Sequence, residues 1–246
     1  MSAPLIETRA LTLAAAGRTL VQALDWRAEV GQRWCVIGRN AAGKSSLLRA
    51  LAGVGEPALH RGGSVRWLGR DSAAWPAADA AAVRAFLPQQ ASDRFPIAVL
   101  RLLELSVVRP GHDAAALLAA LDAAGLAERN VLELSGGERQ RVALAQCAVQ
   151  GAPLLLLDEP VAFQDPAHQL QVAQWFGALH GCALVISAHD VNWIARAATH
   201  VLALLPGGRC EQGPAGRMLQ ADRLERVYGC AWRSVEGEAG RFWVAQ

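Results

Sequence analysis

A chain of 246 residues with 52% hydrophobic content is long enough to bury a full core in one large or two small domains. A formal charge of +2 excludes a DNA-coating protein and a polybasic membrane anchor, because both need clustered positive charge. No stretch approaches the ~20 uninterrupted apolar residues of a spanning helix. Met1-Ser2-Ala3-Pro4 has no basic head followed by an apolar core, so no signal peptide is expected. The five cysteines (Cys35, Cys147, Cys182, Cys210, Cys230) are odd in number and show no C-x-x-C pair. Reduced thiols in a cytosolic protein are expected, not disulfides or a metal site.

Taken in order, residues 5–37 read as short strands broken at Gly17-Arg18 and Gly31-Gln32, the last ending in Trp34-Cys35-Val36-Ile37. A helix follows over 45–52. Gly53 to Gly63 reads as loop, Ser64–Trp67 as a short strand, and the Ala-rich 73–84 as weak helix interrupted by Pro76. Val83–Leu87 is a strand stopped by Pro88. From about 97 to 150 the period becomes helical: Leu100, Leu103 and Val107, then Leu117, Leu118 and Leu121, then Glu138 to Val149. Leu154–Leu157 and Ala183–Ile186 are continuous apolar runs of the kind a sheet covered on both faces requires, with a helix over 166–179 between them. Strands near 200–205 and 209–212, a helix near 214–227 and strands around 231–235 and 241–245 close the chain. Strands alternating with helices predict an α/β core with a helical insertion.

One stretch organises the chain. Gly38-Arg39-Asn40-Ala41-Ala42-Gly43-Lys44-Ser45-Ser46 lies between a strand and a helix and matches G-x-x-x-x-G-K-S. A loop around an anion needs inward backbone N–H groups, and glycine permits that backbone and close approach. The helix behind it offers unpaired N–H groups and its positive end. Lys44 can reach the β- and γ-phosphates and the Ser45 hydroxyl can ligate Mg²⁺. Lys44 is also the only lysine in the chain. A compact ammonium is therefore wanted at this position, where a planar guanidinium would not fit.

Four further stretches support a nucleotide site. The buried strand 154–157 ends in Asp158, which can hold Mg²⁺ opposite Ser45, and the adjacent Glu159 can polarise an attacking water. Leu134-Ser135-Gly136-Gly137-Glu138 opens a helix and forms a second anion-binding concavity, although alone it is indistinguishable from an ordinary N-cap loop. His189 follows the strand 183–186, and parallel strands end on the same side, which places it near Ser45 and Asp158. Gln89, also past a strand, can orient water or Mg²⁺.

Phosphate loop, Gln after a strand, LSGGE, LLLLDEP and a strand-end His, in that order, resemble the ABC transporter ATPase subunit family over essentially the whole chain. The resemblance implies an α/β fold: a phosphate-loop NTPase core, an N-terminal antiparallel β subdomain and an inserted α-helical signature subdomain. It implies one ABC ATPase domain over 1–246, with 1–90 and 151–246 forming the RecA-like core and β subdomain and 91–150 the helical subdomain. By the same resemblance, Gly38 to Ser46 is the Walker A loop and Asp158 the Walker B acid. Glu159 is the catalytic base, Gln89 the Q-loop glutamine and His189 the switch histidine. Ser135, Gly136 and Gly137, with the D-loop acid Asp165, close over ATP bound to a second copy. ATP and Mg²⁺ are the implied cofactors. The implied assembly is a head-to-tail dimer on two transmembrane permease subunits at the cytoplasmic face of the membrane, served by a periplasmic substrate-binding protein, and no nucleic acid is expected. Phe95, just past Gln89, is a candidate permease contact.

Three departures from the family stand out. Ala14-Ala15-Ala16 occupies the place of an adenine-stacking aromatic, Arg39 and Ala41 replace the usual Pro and Gly, and the D-loop reads Ala162-Phe163-Gln164-Asp165. The tail from Met218-Leu219 through Val227-Tyr228-Gly229 to Phe242-Trp243-Val244 resembles importers of cobalamin and iron chelates. Uptake of cobalamin or a related metal chelate is the expectation, with cobalamin ahead of siderophore iron or haem, and an ABC transporter for another substrate, an exporter included, is the alternative. A soluble ABC ATPase acting on nucleic acid or ribosomes, and an ATP-binding regulator without turnover, are the competing readings. Near-neutral charge counts against the first, and intact Glu159 and His189 against the second.

Overall fold

The computed structural model describes residues 3–56, 58–90, 95–237 and 240–246. Met1, Ser2, the loop residue Pro57 and the first residues of the 91–150 segment (91–94) lie outside the described residues.

The N-terminal strands β1 (Ile6–Ala15) and β2 (Arg18–Ala28) form a hairpin, and β3 (Arg33–Ile37) leads into the phosphate loop and α1 (Lys44–Leu51). β4 (Leu59–Trp67) returns to pair antiparallel with β1, and β5 (Arg70–Asp71) edges that sheet. The expected loop up to Gly63 is thus half strand: Leu59 to Gly62 pair with Ala15 to Thr12. The glycines mark an irregularity inside the strand. Gly63 has φ +74° and lies so close to the backbone of Arg9 and Ala10 that a Cβ there would sit 2.3 Å from the Ala10 carbonyl oxygen. Glycine here permits a register shift in a continuing ladder.

α2 (Ala77–Val83) precedes β6 (Arg84–Leu87). Pro76 caps this helix instead of interrupting it, as suits a residue with no N–H to contribute. The helical insertion consists of α3 (Val99–Leu105), α4 (Ala114–Ala120) and α5 (Gly136–Val149). β7 (Leu154–Asp158), α6 (Pro166–Ala178), β8 (Ala183–Ser187), α7 (Val191–Ala197), β9 (His200–Leu204) and β10 (Cys210–Pro214) complete the core. The expected helix over 214–227 is two helices, α8 (Ala215–Met218) and α9 (Ala221–Tyr228), and a hairpin of β11 (Trp232–Gly237) and β12 (Gly240–Ala245) ends the chain.

The central sheet runs β10-β9-β3-β8-β7-β6, parallel except for β10, and the antiparallel sheet runs β2-β1-β4-β5. Period-2 alternation sends the strand residues into two cores. Cys35, Ile37, Leu155, Leu157, Leu184 and Ile186 pack with the helical insertion, α6 and α7. Trp34, Val36, Leu154, Leu156 and Val185 pack with α1 and the antiparallel sheet. This is why the runs at 154–157 and 183–186 carry no polar positions. The C-terminal ends of β3, β6, β7 and β8 all open at one edge of the sheet, and this edge holds the site.

Candidate active site

α1 starts at Lys44 behind Gly43, whose φ is +100°. A Cβ at residue 43 would lie 2.9 Å from Leu20 Cβ, so backbone angle and space both demand glycine there. Ala41 adopts φ +59°, a conformation that costs an L-residue about 1 kcal/mol or more. The strain expected of alanine in place of glycine is therefore present. Lys44 is buried, and its ammonium donates to the carbonyls of Gly38 (2.9 Å) and Arg39 (3.2 Å). Burial lowers its pKa below the ordinary lysine value, while the carboxylates of Glu159 and Asp158 pull it back up.

Asp158 is fully buried at the end of β7. Register pairs it with Ser187 at the end of β8. The Ser187 hydroxyl donates to Asp158 Oδ1 at 2.5 Å and accepts the backbone N–H of Glu159 at 2.9 Å. Asp158 Oδ2 is buried and makes no hydrogen bond. An unpaired, desolvated carboxylate oxygen is costly unless a cation or donor meets it. A divalent ion would meet that need, with the Ser45 hydroxyl available as a further ligand.

Glu159 has φ +51°, an uncommon angle for a non-glycine residue and one that recurs at active sites. The Gln140 side chain on α5 donates to its carbonyl at 3.1 Å. Its carboxylate pairs with His189 Nε2 at 2.7 Å. One relay thus joins Asp158, Ser187, Glu159 and His189 across β7, β8 and the loops behind them.

Lys44, Glu159 and His189 face a cavity of about 530 Å³ lined also by Leu20, Asn40, Ala41, Gly43, Ser45, Ser46 and Gln89, whereas Asp158 and Ser187 are fully buried and do not line it. Gly38, Arg39 and Ala42 lie on the outer side of the same loop. The wall contributed by the N-terminal hairpin is Leu20, not the Ala14–Ala16 stretch. Leu20, Ser187 and Gln140 were not singled out from the sequence. Ser187 and Gln140 become visible only through strand register and helix packing, which no linear spacing encodes.

The structure does not bring Ser135, Gly136, Gly137 or Asp165 to this cavity. Ser135 caps α5: its hydroxyl accepts the Glu138 N–H, while Glu138 Oε2 accepts the Ser135 N–H at 2.8 Å, a complete capping box. Those hydrogen bonds from Ser135, and then the nearby Arg129, hold the Glu138 carboxyl below the usual glutamate value. Asp165 caps α6 and pairs with His168 at 2.8 Å. A Cβ on Gly137 would lie 3.0 Å from the Phe163 carbonyl oxygen, so the signature loop rests on the D-loop of its own chain.

Phosphate loop, buried strand-end acid, and a carboxylate–histidine pair at the open edge of a parallel sheet define a nucleoside triphosphatase of the phosphate-loop class. The family model described as ABC transporter matches residues 21–162. The chain is 35% identical over 243 residues to the hemin import ATP-binding protein HmuV of Chelativorans sp., covering 92% of each. It is 41% identical over 214 residues to the protein of the same name from Pseudomonas entomophila, covering 81% of this chain and 82% of that one. In fold, it matches a chain of an inward-facing metal-chelate type ABC transporter with TM-score 0.80 and 23% identity, covering 99% and 98% of the two chains. The chain belongs to the ABC transporter family as an ATP-binding subunit, and it is an ATPase.

Proposed function

We propose that this subunit powers uptake of haem or a closely related metal chelate through a membrane permease, working as a head-to-tail pair of identical copies. The Glu159–His189 contact at 2.7 Å, facing the cavity that holds Lys44 and Ser45, carries the catalytic part of this reading. Glu159 accepts a proton from the attacking water, and His189 fixes the carboxylate from the far side. Lys44 leaves the Gly38 and Arg39 carbonyls to neutralise the β- and γ-phosphates, assisted by the N–H groups of the loop. Ser45, Gln89 and Asp158 Oδ2 would hold Mg²⁺, which would supply neutralisation of charge on the phosphate oxygens. Ser135, Gly136, Gly137 and Asp165 complete the site of the second copy.

The whole chain acts as one domain, with the helices of 91–150 carrying the signature towards the partner. None of the helices among the described residues is long and apolar enough to cross a membrane, so membrane association runs through the permease. Phe95, 77% exposed, suits that contact. The names of the curated relatives favour haem over cobalamin.

The test is steady-state ATP hydrolysis by the permease complex and its Glu159→Gln variant. A loss of about 10²–10⁴-fold is expected, and equal rates would overturn the base assignment. Stimulation by hemin-loaded binding protein, and not by cobalamin-loaded protein, would fix the substrate class.

A further inference from the structure

A second cavity of about 440 Å³ adjoins the phosphate-loop cavity, sharing Asn40 and His189 with it. Its remaining wall includes Arg39, Tyr228, Cys230 and Trp232. The Tyr228 and Trp232 rings lie 5.5 Å apart at 43°. Tyr228 OH and Trp232 Nε1 are buried, and neither has a hydrogen-bond partner. The Arg39 guanidinium lies against Gly229, where a Cβ would stand 3.5 Å from Nη1. An aromatic slot with a cation on its rim and two unspent donors is thus continuous with the nucleotide site.

On the signature side, Phe163 is 77% exposed and has φ +62°, a rare state for a bulky residue. It backs the signature glycines, since a Cβ on Gly136 would lie 3.8 Å from Phe163 Cβ. Resting on the head-to-tail pair proposed above, the surface that bears Ser135–Gly137 faces the phosphate loop of the second copy. The geometry points to Phe163 of each copy entering the slot formed by Arg39, Tyr228 and Trp232 in the other, as the aromatic anchor of the ATP-closed pair.

The chemistry on the two sides is complementary. A phenyl ring meets two aromatic walls and a guanidinium, a combination of stacking and cation–π attraction. Because the pair is two-fold symmetric, the contact is made twice. It also accounts for both departures at once: Arg39 replaces the usual proline on one surface, and Phe163 stands exposed on the other.

The experiment uses the full-length chain with Glu159→Gln, which retains bound ATP. Phe163→Cys is added, native Cys230 is kept, and a short bis-maleimide is applied with and without MgATP. A cross-linked dimer that requires ATP and disappears with Cys230→Ser is expected. Size-exclusion chromatography of the Glu159→Gln chain reads the pair independently. If ATP produces the dimer of the Phe163→Cys chain itself but no link forms between residues 163 and 230, the docking is overturned while the pair stands. If ATP produces no dimer, the head-to-tail reading and the docking fall together. Phe163→Ala and Trp232→Ala should each weaken the dimer at least tenfold, and the double variant should lose little more than either alone. Fully additive losses would overturn the contact.

Discussion

At the open edge of the parallel sheet the polar groups hold one another: Asp158, Ser187, Glu159 and His189 form one relay, and Lys44 rests on the carbonyls of its own loop. The signature loop is built from three consecutive residues and one capping box, and Gln140 of its helix donates to the Glu159 carbonyl. The first region depends on strands far apart in sequence meeting in register, which lets it bury charge. The second is local and solvent-facing, and in the proposed pair its N–H groups would meet the phosphates bound to the other copy. On that proposal one half is preorganised by folding and the other is organised by assembly.

The sharpest way to break this contrast is at Lys44. Lys44→Arg keeps the charge but not the compact head that fits between the Gly38 and Arg39 carbonyls, and should lower ATP turnover about 10²–10³-fold. Turnover at the wild-type rate would show that the buried half needs only charge. Next comes Ser187→Ala, which strips Asp158 Oδ1 of its donor and the Glu159 N–H of its acceptor. It should cost about 1–3 kcal/mol in a thermal or urea melt and lower kcat with little change in KM for ATP. A surface-like effect under 0.5 kcal/mol, roughly, would mean the relay is not a unit.

Between the two regions lies Gln164, only 8% exposed, with a buried Oε1 that has no partner. A leucine of similar size removes that unsatisfied oxygen, so Gln164→Leu should raise stability by about 1 kcal/mol. It should leave the Asp158 relay unchanged, which makes it a probe of the signature side alone. Leucine also removes the 3.4 Å hydrogen bond from Gln164 Nε2 to the Pro160 carbonyl, so a lower melting temperature would mean that this bond outweighs the unsatisfied oxygen.

Much of this was legible in the residues because the chemistry sits in contiguous motifs. The phosphate loop, the Leu154–Asp158 strand and the Ser135–Glu138 box each declare themselves by order and spacing. The convergence of Ser45, Gln89, Asp158, Glu159 and His189 follows from parallel strands ending on one side. What could not be read depends on register or packing. Ser187 matters because β7 and β8 align Asp158 with it. Gln140 matters because one turn of α5 faces the Glu159 carbonyl. The glycines of β4 mimic a loop because a close backbone contact also demands glycine. The split between α8 and α9 is a tertiary choice that a short amphipathic run does not announce.

The smallest expected effect tests how local the signature half is. Glu138 is held below its ordinary value of 4.5 by hydrogen bonds from Ser135, so its folded-state pKa lies under its unfolded one. Such a carboxylate contributes stability fully above the unfolded value, and the contribution is lost as pH falls through the depressed folded value. The wild type should therefore melt above Glu138→Gln near neutral pH, and the gap should close on acidification through the depressed folded-state value. Glutamine can still accept from the Ser135 N–H, so the gap isolates the charge from the cap itself. Arg129 also meets Glu138, at 2.7 Å, and Arg129→Met should shrink the same gap without abolishing it. A gap independent of pH would mean that the capping box stabilises α5 through shape alone.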